Sequence, residues 1–346
     1  MERQDLFNIL RRLASVPTVT GYERNARETI EELLSGYVDD FWTTPWDNSV
    51  AVINPMGKKK LLFAAHVDQI GFIVTNIDES GYLKFSPIGG WDARVAYGSK
   101  VTVITSKGNI RGVIGTLPPH LMKEKEKKID FKDLVIDIGV DSKEEAEEAG
   151  VKVGDYVCLY SEPELAGKYR VIGSGMDDKA GLASIIYAAR MLASRKSELG
   201  DISVYFVATV QEEIGLRGAS MIGYELKPDL AVIVDVTHAK TPETKDIAFV
   251  ELGKGPVISI GPIYHREVTE SLIEIAERYG IRYQREADPR GAGTDAWAIQ
   301  IARGGVKTGL VSVPNRYMHS GVEMVDLRDM SDLARLLVEY SISIKI

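Results

Sequence analysis

"LLFAAHVDQIGF", Leu61 to Phe72, opens as a five-residue apolar run and then breaks into a histidine, an aspartate two residues on and a glycine at 71. The run has the length and composition of a buried strand. A lone histidine at the end of such a strand is most often a core residue whose ring nitrogens are satisfied locally. The stretch decides the reading of the fold because the sequence changes texture on either side of it.

Upstream, Leu6, Ile9, Leu10 and Leu13 recur at helical spacing, "SVPTVTGYE" breaks the pattern, and "RNARETIEELLSGY" resumes it, so two helices are expected ahead of a first strand at Leu61. Downstream come short apolar runs separated by turn residues: "GFIVTNIDESGYLKF", "KVTVITSKGNIRGVIG", "DLVIDIGV" and "VKVGDYVCLY". These make a β-rich unit of about ninety residues, large enough for a domain of its own. Its one clear helix is "SKEEAEEAG", begun by a Ser142–Glu145 capping box and stopped at Gly150.

From "GSGMDDKAGLASIIYAARMLA" onward, helix and strand alternate. Leu182, Ile186, Ala189 and Ala193 line one helical face; "ISVYFVATV", "LAVIVDV" and "VKTGLVSV" read as buried strands; "ESLIEIAERYG" turns Leu272, Ile275, Ala276 and Tyr279 inward. The fold class expected is therefore α/β, a mixed sheet sandwiched by helices over residues 1–69 and 164–346, split by the β-rich insertion at 70–163.

Composition narrows the function. The chain has 346 residues, 45% of them hydrophobic, enough for a sizeable core and two domains. A formal charge of −8 argues against nucleic acid and anionic membrane as partners, since both call for a basic surface. Cys158 is the only cysteine, Met1 to Ser15 carries Arg3, Asp5, Arg11 and Arg12, and no apolar run approaches the roughly 20 residues that span a bilayer. A reducing, cytoplasmic setting is expected.

The chemistry-bearing residues gather at one kind of place. His66 follows "LLFAA", Glu212 and Glu213 follow "ISVYFVATV", Asp235 follows "LAVIV", and His319 follows "VKTGLVSV" after a short link. In open α/β sheets, ligands bind beyond the carboxyl ends of the strands. Asp177 and Asp178, in "MDDK", stand at a helix start, where an acidic residue is ordinarily a cap. Each residue alone has such an ordinary explanation; their convergence does not, with only five histidines in the chain. Two histidines and three carboxylates exceed one zinc site but suit two cations about 3.5 to 4 Å apart that share a bridging carboxylate. Of Glu212 and Glu213, one can bind metal while the other serves as general base; spacing leaves open which. HExxH, GxSxG, P-loop and strand-linked GxGxxG motifs are all missing.

"AAHVDQIGF", "MDDKAG", "VATVQEEIGLRGA", "VIVDVT", "GAGTDA" and "SVPNRYMHS" occur in the order found in the tetrahedral (TET) aminopeptidases, cytosolic dinuclear metallopeptidases of prokaryotes, which the chain resembles from its first helices to its last strand. The resemblance implies a metallopeptidase domain interrupted by a PDZ-like dimerisation domain, and dimers built into a homododecamer that trims short peptides. Carried over motif by motif, His66 and Asp235 would hold one ion, Glu213 and His319 the other, and Asp177 would bridge. Glu212 would be the general base and acid; Asp68 would bond the outer nitrogen of His66, and Asp178 would orient rather than ligate. Zinc is the ion expected, with cobalt as the alternative.

Trp297, in "GAGTDAWAIQ", stands where the family pattern suggests a small residue; packed under its helix it would be inert, whereas in the pocket it would favour small N-terminal residues, glycine above all. His120, in a Pro-Pro-His turn of the inserted domain, would sit on a plain surface loop or, as the resemblance implies, near a neighbouring subunit's site, and His238 would line the pocket or back up a ligand. Two other readings compete: a glycoside hydrolase of endoglucanase type using the glutamate pair, and a non-catalytic metal-binding scaffold.

Overall fold

The computed structural model describes residues 2–116, 129–159, 161–244, 250–291 and 293–345; His120 lies outside them. In chain order the helices are α1 (Glu2–Ala14), α2 (Arg27–Leu34), α3 (Ala93–Ala96), α4 (Lys143–Glu148), α5 (Met176–Ala193), α6 (Arg217–Leu226), α7 (Arg266–Arg278), α8 (Asp295–Gln300) and α9 (Leu327–Ser343). The strands are β1 (Asp40–Thr43), β2 (Ser49–Ile53), β3 (Lys59–His66), β4 (Gly71–Ile77), β5 (Leu83–Ile88), β6 (Lys100–Thr105), β7 (Gly108–Gly115), β8 (Val135–Asp137) and β9 (Tyr156–Leu159), followed by β10 (Glu164–Ala166), β11 (Arg170–Gly173), β12 (Ile202–Thr209), β13 (Leu230–His238), β14 (Val257–Ile260), β15 (Gln284–Ala287), β16 (Lys307–Asn315) and β17 (Glu323–Asp326).

Eight strands form one mixed sheet in the order β1-β2-β12-β3-β13-β16-β14-β15, whose middle four, β12, β3, β13 and β16, run parallel. Alternation along these strands builds two cores, because successive side chains leave a strand on opposite faces. Leu61, Phe63 and Ala65 of β3 pack with α1, α2, α5, α7 and α9 on one face. Leu62 and Ala64 face α6 and α8 on the other. The expected helix–sheet–helix sandwich is thus present, and the buried run Leu61–Ala65 is buried on both sides of its sheet.

Between β3 and the resumption of that domain, β4-β5-β8-β7-β6-β9 close into a barrel around Phe72, Leu83, Val101, Ile136 and Val157. A third, three-stranded sheet, β10-β11-β17, lies beside the domain's return.

Several local expectations need correction. Leu61 does not open the first strand: β1 and β2 precede it as an antiparallel hairpin at the sheet edge, too short to show a clear alternation. Tyr279 is 40% exposed, just past the C-terminus of α7, and Ala193 is only half-buried in the last turn of α5. Ser142 caps α4 by accepting from the Glu145 N–H at 3.2 Å, but Glu145 reaches back to the Asp141 N–H instead, so the cap is not reciprocal. Asp235 sits within β13, which continues to His238.

Candidate metal centre

Sheet register assembles the site. The parallel pairing of β3 with β12 sets His66 beside Thr209, with Glu212 and Glu213 in the turn just beyond. The pairing of β3 with β13 ends at Ala64 opposite Ile233, and two residues further each strand presents His66 and Asp235. Both follow the parity of Leu62 and Ala64, so they leave the same face of the sheet.

The helix start at α5 is irregular in a way that separates its two aspartates. Asp177 (φ −77°, ψ 108°) and Asp178 (φ −113°, ψ 36°) are not helical, and the bond between them is cis. Asp178 does the ordinary capping work, its Oδ1 accepting from the Gly181 N–H at 3.0 Å. A side chain at Gly181 would strike that carboxylate, which explains the glycine. Asp177, itself buried, is left free to face the two histidines. Its Oδ1 lies 3.0 Å from His66 Nε2 and its Oδ2 lies 3.2 Å from His319 Nε2.

Around these contacts, Asp235 Oδ1 lies 3.8 Å from His66 Nε2, and Glu213 Oε2 lies 3.4 Å from His319 Nε2. Two groups of three result, His66/Asp177/Asp235 and Asp177/Glu213/His319, each with its ligand atoms within 4.8 Å of one another and both sharing Asp177. Glu213 Oε1 is buried with no hydrogen-bond partner. The donor set is short of positive charge. Burial, with the neighbouring carboxylates Asp235, Asp295 and Glu213 adding to it and His66 opposing, pushes Glu212 up to about 11, and burial pushes Asp235 up to about 8. Conversely the Asp177 and Glu213 carboxylates draw a proton onto His319, raising it to about 11. Burial works against the charged form of His66, yet Asp177 and Asp68 outweigh it and hold that ring well above its usual value. Imidazoles holding protons against carboxylates is the arrangement divalent cations would replace, so the residues fit two such ions.

Together these side chains floor a cleft of about 820 Å³, walled by Leu216, Val236, Thr237, His238, Trp297 and Met318. With this geometry in view, the comparisons are specific. A family model described as M42 glutamyl aminopeptidase matches residues 48–336. The chain belongs to the M42 aminopeptidase family. A lysyl aminopeptidase of Pyrococcus furiosus is 37% identical over 340 residues, 96% of either chain. A crystal structure of a TET aminopeptidase from a marine-sediment thaumarchaeote superposes with a TM-score of 0.94 at 31% identity, covering 99% of this chain and 98% of that one. The TET1 peptidase of Pyrococcus horikoshii, described as able to assemble into a tetrahedron or a large octahedral shell, gives 0.87 at 36% identity over 98% of this chain and all of that one. This M42 aminopeptidase is therefore a metal-dependent hydrolase of peptide bonds. Among its described residues no helix is long and apolar enough to cross a membrane.

In the M42 aminopeptidase the expected contact of Asp68 is different from the one found. His66 Nδ1 donates to the Asp68 main-chain carbonyl at 3.1 Å, while the carboxylate stands 3.6 Å away, beyond hydrogen-bonding range. That carboxylate is engaged elsewhere: Oδ1 accepts from the Glu212 N–H at 3.0 Å, and Oδ2 from the Glu213 N–H at 3.2 Å and the Thr20 hydroxyl at 2.8 Å. Trp297 is 40% exposed on the cleft wall, and His238 lines the same cleft.

Sequence reasoning passed over several buried groups around the centre. Glu323 accepts from the main chain of both Asp177 and His319. Lys179, fully buried, donates to Gln69, and its burial pulls it down to about 8 despite nearby Glu323, Asp68 and Asp177. Asp295 accepts from the Thr209 hydroxyl and keeps one oxygen without a partner. Lys179 and Asp295 stood inside quoted motifs; Glu323, four residues past His319, carried no periodic or spacing signal.

Proposed function

We propose that this M42 aminopeptidase removes N-terminal residues from short peptides with two divalent ions per subunit, zinc by preference and cobalt as a competent substitute. The observation that carries the reading is Asp177, whose two oxygens face two different histidines at 3.0 and 3.2 Å. His66 and Asp235 would hold one ion, Glu213 and His319 the other, with Asp177 shared. When bound, the ions would polarise the scissile carbonyl and acidify water between them. Glu212, in the cleft beside Glu213, takes the proton from the attacking water and delivers it to the departing amine, so that the C–N bond breaks to an acid and a free amine. Asp68 holds the main chain of Glu212 and Glu213 in place, and Asp178 caps the helix behind Asp177.

Small N-terminal residues such as glycine suit the cleft. Among its described lining residues no lysine or arginine appears, and every carboxylate belongs to the metal set or is Glu212, so a basic side chain would find no spare carboxylate and an acidic one only the His238 ring and the threonine hydroxyls. Trp297 narrows what remains. We further assign residues 70–163 to a PDZ-like dimerisation domain, dimers to a homododecamer, and the enzyme to the cytoplasm; scattering mass of the purified protein reports the assembly.

The decisive experiment measures metal content and turnover of aminoacyl anilides together. Strong chelator should abolish activity and zinc or cobalt restore it. Glu212→Gln should keep both metals and lose about 10²- to 10⁴-fold in kcat. Chelator-resistant turnover, or a Gln variant as active as its parent, would exclude the mechanism.

A further inference from the structure

We infer that Glu323 is a positioning residue that sets the affinity and geometry of the metal centre by clamping the main chain of two ligands, Asp177 and His319, at once; this rests on the ligand assignment proposed above. Its Oε2 accepts from the Asp177 N–H at 3.1 Å and its Oε1 from the His319 N–H at 2.8 Å. The side chain is 2% exposed, so water does not compete for either bond.

Strand register explains how one carboxylate reaches both. Glu323 opens β17 and pairs with Gly173, the last residue of β11; two residues later the chain turns at Gly175 (φ 67°) and enters α5 at Met176 and Asp177. On its other side, Arg316 and Met324 exchange main-chain hydrogen bonds of 3.0 Å each, closing a loop that contains His319. Glu323 therefore sits where the loop leaving β16 meets the chain entering α5.

His319 needs such support. Its φ is 60° and that of Tyr317 is 62°, left-handed values that strain a non-glycine residue and persist only when surroundings hold them. Turned this way, the His319 N–H points at Glu323 while the ring reaches Asp177 and Glu213. Asp177 is the residue both candidate groups share, so its main-chain position would bear on both ions at once. Outer partners that orient metal ligands typically govern metal affinity or activity 10- to 100-fold.

The test uses full-length protein stripped of metal and titrated with cobalt(II), followed by visible absorption and by competition with a chelating dye. Glu323→Gln keeps the size but turns an N–H donor toward one of the two main-chain N–H groups; Glu323→Asp keeps the carboxyl group but falls one methylene short. In Glu323→Gln we expect at least one cobalt to bind about 10- to 100-fold more weakly, with a changed absorption band and a matching fall in kcat rather than a rise in KM. Glu323→Asp should fall between. A folded Glu323→Gln variant with parental affinity and spectrum overturns the inference. So does failure of both variants to fold, because a clamp confined to the metal shell leaves the two sheet-face cores intact. If the parent protein itself does not bind two cobalt ions, the ligand assignment falls and this inference with it; two ions in the parent and an unaffected variant sink the inference alone.

Discussion

Replacing Asp68 by asparagine separates two accounts of what that residue does. If its carboxylate oriented His66, Asp68→Asn would weaken metal binding at His66. In the structure His66 leans on the Asp68 main-chain carbonyl, which the substitution leaves in place. The carboxylate instead takes three bonds: Glu212 N–H on Oδ1, Glu213 N–H and the Thr20 hydroxyl on Oδ2. An asparagine retains only one acceptor oxygen. Directed toward Glu213 and Thr20 it keeps two of the three bonds, so the amide nitrogen is left facing the Glu212 N–H. The loss is one hydrogen bond to a charged acceptor, about 1.5 to 3 kcal/mol, carried by the peptide unit that positions the general base. Converted at 1.4 kcal/mol per decade, that is about a 10- to 100-fold fall in kcat, with both metals retained. Metal content by elemental analysis and kcat on a glycyl anilide, measured at saturating zinc, check it. A variant that loses the His66-side metal, or one with parental kcat, would refute the reasoning.

Two further outcomes follow from other parts of the structure. Trp297→Ala should open the cleft and raise kcat/KM for leucyl over glycyl anilides; Gly291→Ala should shift the same ratio, because its new methyl would collide with the Trp297 indole nitrogen and displace the ring. An unchanged ratio in both variants would remove Trp297 from specificity. Outside the cleft lining, burial pushes Asp329 up to about 7 although it accepts from the Gly253 and Gly255 N–H groups. A carboxyl raised on folding stabilises fully below its unfolded value near 4 and loses that contribution as pH rises through about 7. The stability of Asp329→Asn should therefore depend less on pH than the parent's between about 4 and 7, as read by denaturant midpoints; parallel profiles would count against it.

How much of the site could be read in the chain differs residue by residue. His66, Asp235 and the Glu212–Glu213 pair were legible because each ends or follows an apolar run whose period identifies a strand, and strands of a parallel sheet deliver their ends to one rim. His319 was legible by the same logic through a short link. The division of labour between Asp177 and Asp178 came only with the family resemblance, since both stand at a helix start and no local pattern separates them; the Gly181 N–H bonded to Asp178 shows which of them caps. The true partner of the Asp68 carboxylate was not legible: sequence adjacency to His66 suggested the ring, but the neighbouring strand β12 brings the Glu212 and Glu213 main chain closer.

The sequence by itself determined the sandwich, the interrupted domain and the five ligand candidates, because hydrophobic period and the chemistry of side chains are local properties. Tertiary structure alone decided which carboxylate oxygen meets which ring, that Trp297 faces the cleft, and that Glu323 joins two ligands. Those depend on strand register and loop closure between segments as distant as Asp177 and Glu323, 146 residues apart, which no local pattern encodes.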